Sequence, residues 1–283
     1  MTDIDTSAVS PEADSPSSTL LDKRDSFALA YGNVFARYGM ALKNTTRRSV
    51  SIFIAVDRKP FDLVLGDTNQ SLHAVVVGPL VKHTVRGNRE GGVIGFLITP
   101  HHPLYRSFRD LPPSGAQPVP RTSFTSLVRR FEQVLKKEAD QCFAEALFDD
   151  AVLAAAGCFP DPGPLDPRVG AAMQLIDGDP RRSLSELAQE VEMSYHRLSH
   201  CFSQQLGLSM RSYQLWRKFH KAADMLLRGE PLVASARECG FTSVQHLCRV
   251  FREVYGAPPS IIYQGARARR VPADQVATAD DEA

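Results

Sequence analysis

The sequence lacks the features that mark membrane-spanning, secreted and disulfide-stabilised proteins. No stretch approaches ~18 consecutive apolar residues, so no membrane span is expected. The first residues lack the basic start and apolar run of a signal peptide. The five cysteines are scattered and form no C-x-x-C pair, which argues against a disulfide framework and a structural zinc site. We therefore expect a cytoplasmic protein.

The sequence also lacks recognisable catalytic motifs. It contains no Walker-type glycine loop, no G-x-S-x-G and no evident carboxylate pair. The histidines of the N-terminal half are candidate metal ligands, but no H-x-H is followed by a Glu at metal-ligand spacing. These candidates are His73, His83, His101 and His102. We expect no metal site, no cofactor and no enzymatic activity.

A large net charge is missing as well, since the chain carries only +1 at pH 7. The charge is unevenly distributed, however. Residues 166–270 contain 15 Lys or Arg and 10 Asp or Glu, and the remainder of the chain is mildly acidic. A basic C-terminal region of this kind is a pointer to a nucleic-acid partner.

The pattern of residues divides the chain into two halves. Residues 1–24 and 271–283 are polar and are expected to be disordered. Short β-branched runs at 50–56, 61–65, 73–77 and 91–98, separated by glycine turns, predict a small antiparallel barrel or sandwich. Helical periodicity follows over 123–156, with a break near Asp140, and completes a unit over 25–157. The Pro/Gly-rich segment 158–165 predicts a linker.

The C-terminal half, 166–270, is predicted to be all helical and contains an internal repeat. In each copy an Ala is followed four residues later by a turn, then by a hydroxyl residue and an amphipathic helix that ends in Phe. The first copy contains Ala188, Glu192, Met193, Ser194, Phe202 and Gly207; the second contains Ala236, Gly240, Phe241, Thr242, Phe251 and Gly256. A small residue lets two helices cross closely, and a hydroxyl can cap the second helix. This order is typical of a helix-turn-helix unit.

A helix predicted over 209–227 joins the two copies. At ~1.5 Å per residue it is ~29 Å long, close to the ~34 Å of one turn of B-DNA. One chain could therefore enter two successive major grooves. Ser183 and Glu186 add the spacing of a capping box before the first copy.

These motifs resemble the AraC/XylS family of bacterial transcription regulators. The resemblance is carried by Leu187, Ala188, Met193, Ser194, Leu198 and Phe202, by Arg217, Ala223, Leu226 and Leu227 in the joining helix, and by the C-terminal segment 240–259. Two departures are Glu192, where such turns commonly have Gly, and the pair His246-Leu247, where the family usually has aromatic residues.

The resemblance implies that the second helix of each unit contacts double-stranded DNA. The implied contacts are Tyr195, His196, Ser199 and His200 in the first unit and Val244, Gln245, His246, Cys248 and Arg249 in the second. Gln245 suits adenine and Arg249 suits guanine. The residues alone leave open whether His246 and Cys248 pack inward and whether Arg249 holds a phosphate. Arg217, Lys218 and Lys221 are candidates for the DNA backbone.

The N-terminal half resembles the cupin-like sensor halves of the same family through residues 77–84 and 97–100. This implies an α+β protein whose N-terminal barrel binds a small-molecule effector, with homodimerisation through the helices of 123–156. An activator would also contact RNA polymerase. Two alternatives remain open: a cupin-type metal enzyme with an appended DNA-binding module, and a DNA-binding protein whose N-terminal half only dimerises.

Overall fold

The computed structural model describes residues 26–29, 32–255 and 259. The N-terminal part contains ten strands: β1 Ser26–Leu29, β2 Gly32–Tyr38, β3 Ala41–Thr45, β4 Val50–Ala55, β5 Phe61–Leu65, β6 Thr68–Leu72, β7 Ala74–Val77, β8 His83–Arg86, β9 Gly92–Ile98 and β10 Ala116–Pro118. The segments predicted to be disordered, 1–24 and 271–283, lie outside the described residues.

The strands form two antiparallel sheets. The larger sheet has the order β1-β2-β9-β4-β7-β10, and the smaller has the order β3-β8-β5-β6. Within the described residues no strand pairing joins the two sheets, so they form an open sandwich, and the closed cupin-like barrel that the resemblance implied is not confirmed. Gly32 permits the close approach of β2 to β9, since a Cβ there would lie 1.8 Å from the carbonyl oxygen of Leu97.

The larger sheet is buried on both faces, which explains its continuous apolar strands. One face packs on the smaller sheet around Phe53 and Phe61. The other face is covered by helices α1 (Val128–Leu135) and α2 (Gln141–Ala156), with Phe96 against the rings of Phe131 and Phe148 at 5.9 and 6.3 Å between centroids. Short 3-10 helices occupy Pro103–Phe108 and Arg121–Leu127.

The break predicted between these helices lies where α2 begins. The Asp140 carboxylate caps α2 by accepting a hydrogen bond from the backbone N–H of Phe143 at 2.8 Å. The helices of 123–156, through which the resemblance implies homodimerisation, have their apolar faces covered by the chain's own sheet. The exposed face of α2 is mainly polar, and Leu153, at 61% exposure, is its one large exposed apolar side chain in the described structure.

Six further helices complete the described chain: α3 Pro167–Gly178, α4 Leu184–Glu190, α5 Tyr195–Leu206, α6 Met210–Leu227, α7 Leu232–Glu238 and α8 Val244–Tyr255. Their apolar residues belong to two cores. The core of α3, α4 and α5 is continuous with the helix-covered face of the larger sheet and ends at Tyr213. The core of α7 and α8 is separate and begins at Phe219 on α6. The helix α6 therefore spans from one core to the other.

None of the helices in the described part of the chain combines the length and hydropathy needed to cross a membrane.

Candidate nucleic-acid interface

The helix pair α4–α5 is stabilised by the capping interactions that its sequence predicts. Ser183 Oγ accepts a hydrogen bond from the backbone N–H of Glu186, and the Glu186 carboxylate accepts one from the N–H of Ser183, both at 3.2 Å. At the start of α5, Ser194 Oγ accepts from the N–H of Arg197 at 3.3 Å. These bonds satisfy backbone donors that a helix start otherwise leaves unpaired.

The turn of α4–α5 has the same geometry as the turn of α7–α8. The N–H of Met193 donates to the carbonyl of Ala188 at 2.9 Å, and the N–H of Phe241 donates to Ala236 at the same distance. Both alanines are buried at the helix contact. The repeated sequence therefore folds into a repeated structure.

Both turns contain a residue in the left-handed backbone conformation. Gly240 has φ +71° and Glu192 has φ +54°. The departure at Glu192 thus leaves the turn intact, although a side-chain-bearing residue pays about 1–2 kcal/mol there that glycine avoids. A Cβ at position 240 would lie 2.9 Å from Cγ of Arg181, so the second turn needs glycine for space as well.

The turn of the second helix pair, α7–α8, is one residue longer than the turn of the first pair, α4–α5. The prediction that Thr242 caps α8 is wrong, because Ser243 Oγ accepts the hydrogen bond from the N–H of His246 at 3.1 Å. Thr242 Oγ1 instead shares a hydrogen bond with Nδ1 of His246 at 3.1 Å. Residues of α5 consequently correspond to residues 49 positions later in α8. Leu198 matches Leu247 in this alignment, and both are fully buried.

The predicted contact residues form two groups, one with exposed side chains and one with half-buried side chains. His196 matches Gln245 and His200 matches Arg249, and all four are exposed. Each pair is four residues apart, so it forms one ridge on its helix. The other predicted contacts are half-buried beside these ridges: Tyr195, Ser199, Val244, His246 and Cys248.

Arg197, which is not among the predicted contacts, is exposed at the start of α5 and corresponds to His246. Its position directly after the exposed His196 was the available signal.

Arg217 lies apart from these ridges. Its Nε atom is 2.9 Å from Oδ1 of Asp177 on α3, and its guanidinium lies 5.7 Å from the centre of the Trp216 ring. Lys218 donates from Nζ to the carbonyl of Gly240 at 3.3 Å, at the turn of the second pair, and burial lowers its pKa. Lys221 is exposed. The geometry thus gives Arg217 and Lys218 partners within the protein.

A basic concavity of about 570 Å³ lies beside the first pair. It is lined by the segment before α4, the starts of α4 and α5, and the first half of α6, including Arg181, Arg182, Tyr195, Arg211 and Lys218. Arg181 pairs with Asp179 at 3.1 Å, and Arg182 pairs with Glu190. Arg211 is exposed. Positive side chains around helix starts suit a phosphate group.

The N-terminal half contacts the first helix pair at the end of α5 through Arg106. Arg106 donates from Nε to the carbonyl of Gln205 at 3.1 Å and from one terminal nitrogen to the Gln205 side-chain oxygen at 2.8 Å. It also donates to the carbonyls of Gly163 and Pro164 in the segment between α2 and α3. One side chain therefore ties the sandwich to the end of α5.

The four histidines considered as metal ligands do not form one site. His73 is exposed and lies 3.1 Å through Nε2 from the carbonyl of Arg58, whereas His83 is buried between the sheets. His101 and His102 contact different carboxylates, those of Asp177 and Asp149. Among the described residues, no group of three or more His, Cys, Asp or Glu could hold a metal ion.

A helix-turn-helix domain model matches residues 187–263. The arabinose operon regulatory protein of Escherichia coli (strain K12) is 34% identical over 110 residues, which are 38% of this chain and 38% of that protein. Regulatory protein PocR of Salmonella typhimurium is 28% identical over 107 residues, 36% of this chain and 35% of that protein. This chain thus spans little more than a third of the curated relatives it matches.

A solved structure extends the likeness to the whole fold. A variant of apo ToxT from Vibrio cholerae strain SCE256 covers 84% of this chain and 98% of its own, with a TM-score of 0.50 and 13% identity. At that identity the likeness concerns the fold alone. The C-terminal region is thus similar in sequence to the arabinose operon regulatory protein, and the chain is similar in fold to ToxT.

Proposed function

We propose that this protein is a sequence-specific DNA-binding transcription regulator in which α5 and α8 enter two successive major grooves. The observation that carries the proposal is the equivalence of two exposed ridges, His196 with His200 and Gln245 with Arg249, on helices with the same buried backs. The helix α6 between them has 18 residues, or about 27 Å, which suits grooves about 34 Å apart.

The exposed side chains have the chemistry to distinguish bases. An arginine can donate two hydrogen bonds to guanine O6 and N7, and a glutamine can pair with adenine N6 and N7. We assign these roles to Arg249 and Gln245, and single hydrogen bonds to bases to His196 and His200. The half-buried Tyr195, Ser199, Val244 and His246 line the edges of the ridges.

We assign contacts with the DNA backbone to basic side chains around the ridges. Arg211 in the concavity, Lys221 on α6 and Arg197 on α5 are exposed, and phosphate contacts of this kind set affinity and register without reading sequence. Arg217 is not included, since its ion pair with Asp177 supports a role in holding α6 against α3.

The N-terminal half is proposed to be a cupin-like sensor of a small molecule. Its apolar interior between two sheets and its contacts with the end of α5 support this role. A homodimer through 123–156 would use the polar outer face of α2, because the apolar faces of both helices are already covered. An activator working in the cytoplasm would in addition contact RNA polymerase.

Selection of bound sequences from random duplex DNA tests the proposal directly. We expect the full chain to enrich one motif with two elements about ten base pairs apart, the spacing of one helical turn. A doubled motif would indicate the dimer. Failure to enrich any sequence would contradict the proposal.

Paired variants then test the assignment of the ridges. The double change His196→Ala and His200→Ala should relax preference in one element, and Gln245→Ala with Arg249→Ala should relax it in the other. Each lost base contact should cost about 1–3 kcal/mol of discrimination. Lys221→Ala should weaken binding to all sequences alike, and Gln174→Ala, an exposed change on α3, serves as the control.

A further inference from the structure

A second concavity, of about 500 Å³, lies at the surface of the N-terminal half. Four segments form it: the connection between β4 and β5, the turn from β6 into β7, the end of β10, and the start of the 3-10 helix Arg121–Leu127. Most of its lining side chains are exposed, so a ligand can reach it from solvent. A volume of this size suits a small organic molecule. We call it the outer concavity.

The outer concavity is positively charged. Arg58 and Arg121 line it, and none of its lining residues is Asp or Glu. The adjacent acid, Asp57, directs its carboxylate oxygens to the backbone N–H groups of Lys59 and Gly92, at 2.9 and 3.4 Å. Within the described part of the chain, neither guanidinium has a carboxylate at ion-pair distance. A bound anion would therefore supply the opposite charge that the protein does not provide here.

Arg121 is the fixed member of the pair. It is half-buried, and its guanidinium donates from Nε to the carbonyl of Ala55 at 3.1 Å and from one terminal nitrogen to the carbonyl of Val56 at 2.8 Å. These acceptors are neutral, so they hold the group in place without neutralising it. They use two of the five N–H groups that a guanidinium carries. A partly buried charge is normally paired with an opposite charge, and the remaining N–H groups leave Arg121 able to pair with a ligand.

The rest of the lining combines hydrogen-bonding groups with an apolar floor. His73 donates from Nε2 to the carbonyl of Arg58 at 3.1 Å, because a carbonyl can only accept, and this bond holds the backbone of Arg58 at the rim. Thr122 adds an exposed hydroxyl. Ala74 and Val119 are apolar and only 2% and 7% exposed, so they form the floor. Such a lining suits a ligand that has both an anionic group and an apolar part.

We propose that the outer concavity binds a small phosphate monoester with an apolar organic group. The phosphate pairs with Arg58 and Arg121 and accepts a hydrogen bond from Thr122, and the organic group lies on Ala74 and Val119. A phosphate monoester carries a charge of about −1.5 to −2 at pH 7, which matches two guanidinium groups, whereas a singly charged ligand would leave one of them unpaired. The site uses neither the interior between the sheets nor the DNA-binding helices, so it goes beyond the proposed function.

Isothermal titration calorimetry of the full chain with four compounds tests the class of ligand. Phenyl phosphate has both the doubly charged group and the apolar ring. Methyl phenyl phosphate keeps the ring with a single charge, phenol keeps the ring alone, and inorganic phosphate keeps the charge alone. We expect phenyl phosphate to bind with a Kd below about 1 mM, and each of the others about tenfold more weakly or less. Added salt should weaken the binding, because charges at an exposed site are screened.

Variants then locate the binding. Arg58→Glu reverses a charge at an exposed side chain, so it should fold normally and bind phenyl phosphate at least about tenfold more weakly. Arg121→Met should weaken binding by a similar factor. Because Arg121 also holds two carbonyls, its Tm without ligand is measured first, and Arg58→Glu decides the question if Arg121→Met does not fold. The matched control is Arg37→Glu, at an exposed arginine of β2 that does not line the outer concavity.

The inference is overturned if phenyl phosphate does not bind, or if Arg58→Glu binds it as tightly as Arg37→Glu does. It is also overturned if one of the other three compounds binds as tightly as phenyl phosphate, because the ligand would then need either no second charge, no charge at all or no apolar group. DNA selection without any added compound reports on the proposed function separately, since no residue of α3 to α8 lines the outer concavity. The two proposals can therefore fail independently.

Discussion

Tyr213 and His101 share a hydrogen bond across 112 residues of sequence, with 2.9 Å between the tyrosine oxygen and Nδ1. The Tyr213 hydroxyl donates its single proton to the Asp177 carboxylate at 3.0 Å, so His101 is the donor in the first bond. Burial, together with the charge of Asp177, raises the pKa of Tyr213 and keeps it protonated. The three side chains join the sandwich, α3 and α6 at one point.

Tyr213→Phe should therefore destabilise the protein. The change leaves the Asp177 carboxylate without its buried donor and removes the acceptor of His101, at a cost of about 1.5–3 kcal/mol for hydrogen bonds to charged groups. Urea denaturation measures this difference. Tyr195→Phe is the control, because the Tyr195 hydroxyl has no hydrogen bond among the described residues. Equal stability of the two variants would contradict the role of the Tyr213 cluster.

Substitutions in the turns of the two helix pairs should have opposite effects on the free energy of unfolding. Glu192→Gly should raise the free energy of unfolding by up to about 1 kcal/mol, since glycine adopts a positive φ without the steric cost. Gly240→Ala should lower it by at least as much, because the added Cβ meets Arg181. Both are measured by thermal and urea unfolding. A loss of stability in Glu192→Gly would show that its side chain matters more than its backbone.

Acid sensitivity should depend on His220. Burial, with smaller contributions from Arg217 and His101, lowers its pKa to about 3 from an ordinary 6.5. Below about pH 6.5 the unfolded chain therefore binds a proton on His220 that the folded chain does not bind. The free energy of unfolding falls as the pH is lowered from about 6.5 to about 3. At pH 5 the loss is about 2 kcal/mol relative to pH 7.

The variant His220→Gln should lose less stability than the unaltered chain between pH 7 and pH 5. Urea titrations at both pH values give the difference. His196→Gln, a change at an exposed histidine, controls for the loss of a histidine as such. Parallel pH dependence of the unaltered chain and His220→Gln would refute the assignment.

Arg106 should control access to the segment between α2 and α3. Arg106→Met removes the donors to the carbonyls of Gly163 and Pro164 and to Gln205, so limited proteolysis should cut this segment several-fold faster. Cleavage is favoured where backbone is loosely held. Arg129→Met, at an exposed arginine of α1, is the control. An unchanged cleavage rate for Arg106→Met would contradict the role of Arg106 in holding this segment.

The helix pairs were predictable because their signals are local. A capping box, a buried alanine and a turn residue each act within a few positions, and the structure has all of them at the expected places. The extra residue in the second turn was not predictable, since Thr242 and Ser243 both carry the hydroxyl that capping requires. Only the backbone path decides which of them faces the helix start.

The N-terminal half was predicted in outline and missed in detail. Strands buried on both faces, such as β4 and β9, have continuous apolar runs and were recognised. The strand β6 (Thr68–Leu72) is polar and mainly exposed, and it is held by pairing with β5, which a period-two pattern does not reveal. Contacts such as Tyr213 with His101 depend on tertiary packing and leave no pattern in either segment.

The separate core of α7 and α8 gives the two helix pairs different fates when the protein is damaged. The first unit shares its core with the helix-covered face of the larger sheet, so a lesion on that face reaches it through a continuous apolar network. The second unit closes on its own residues and can stay folded as an independent cooperative unit. Under the proposed function, such a partly unfolded molecule keeps α8 and loses α5, so it retains only one of its two helices for the major groove.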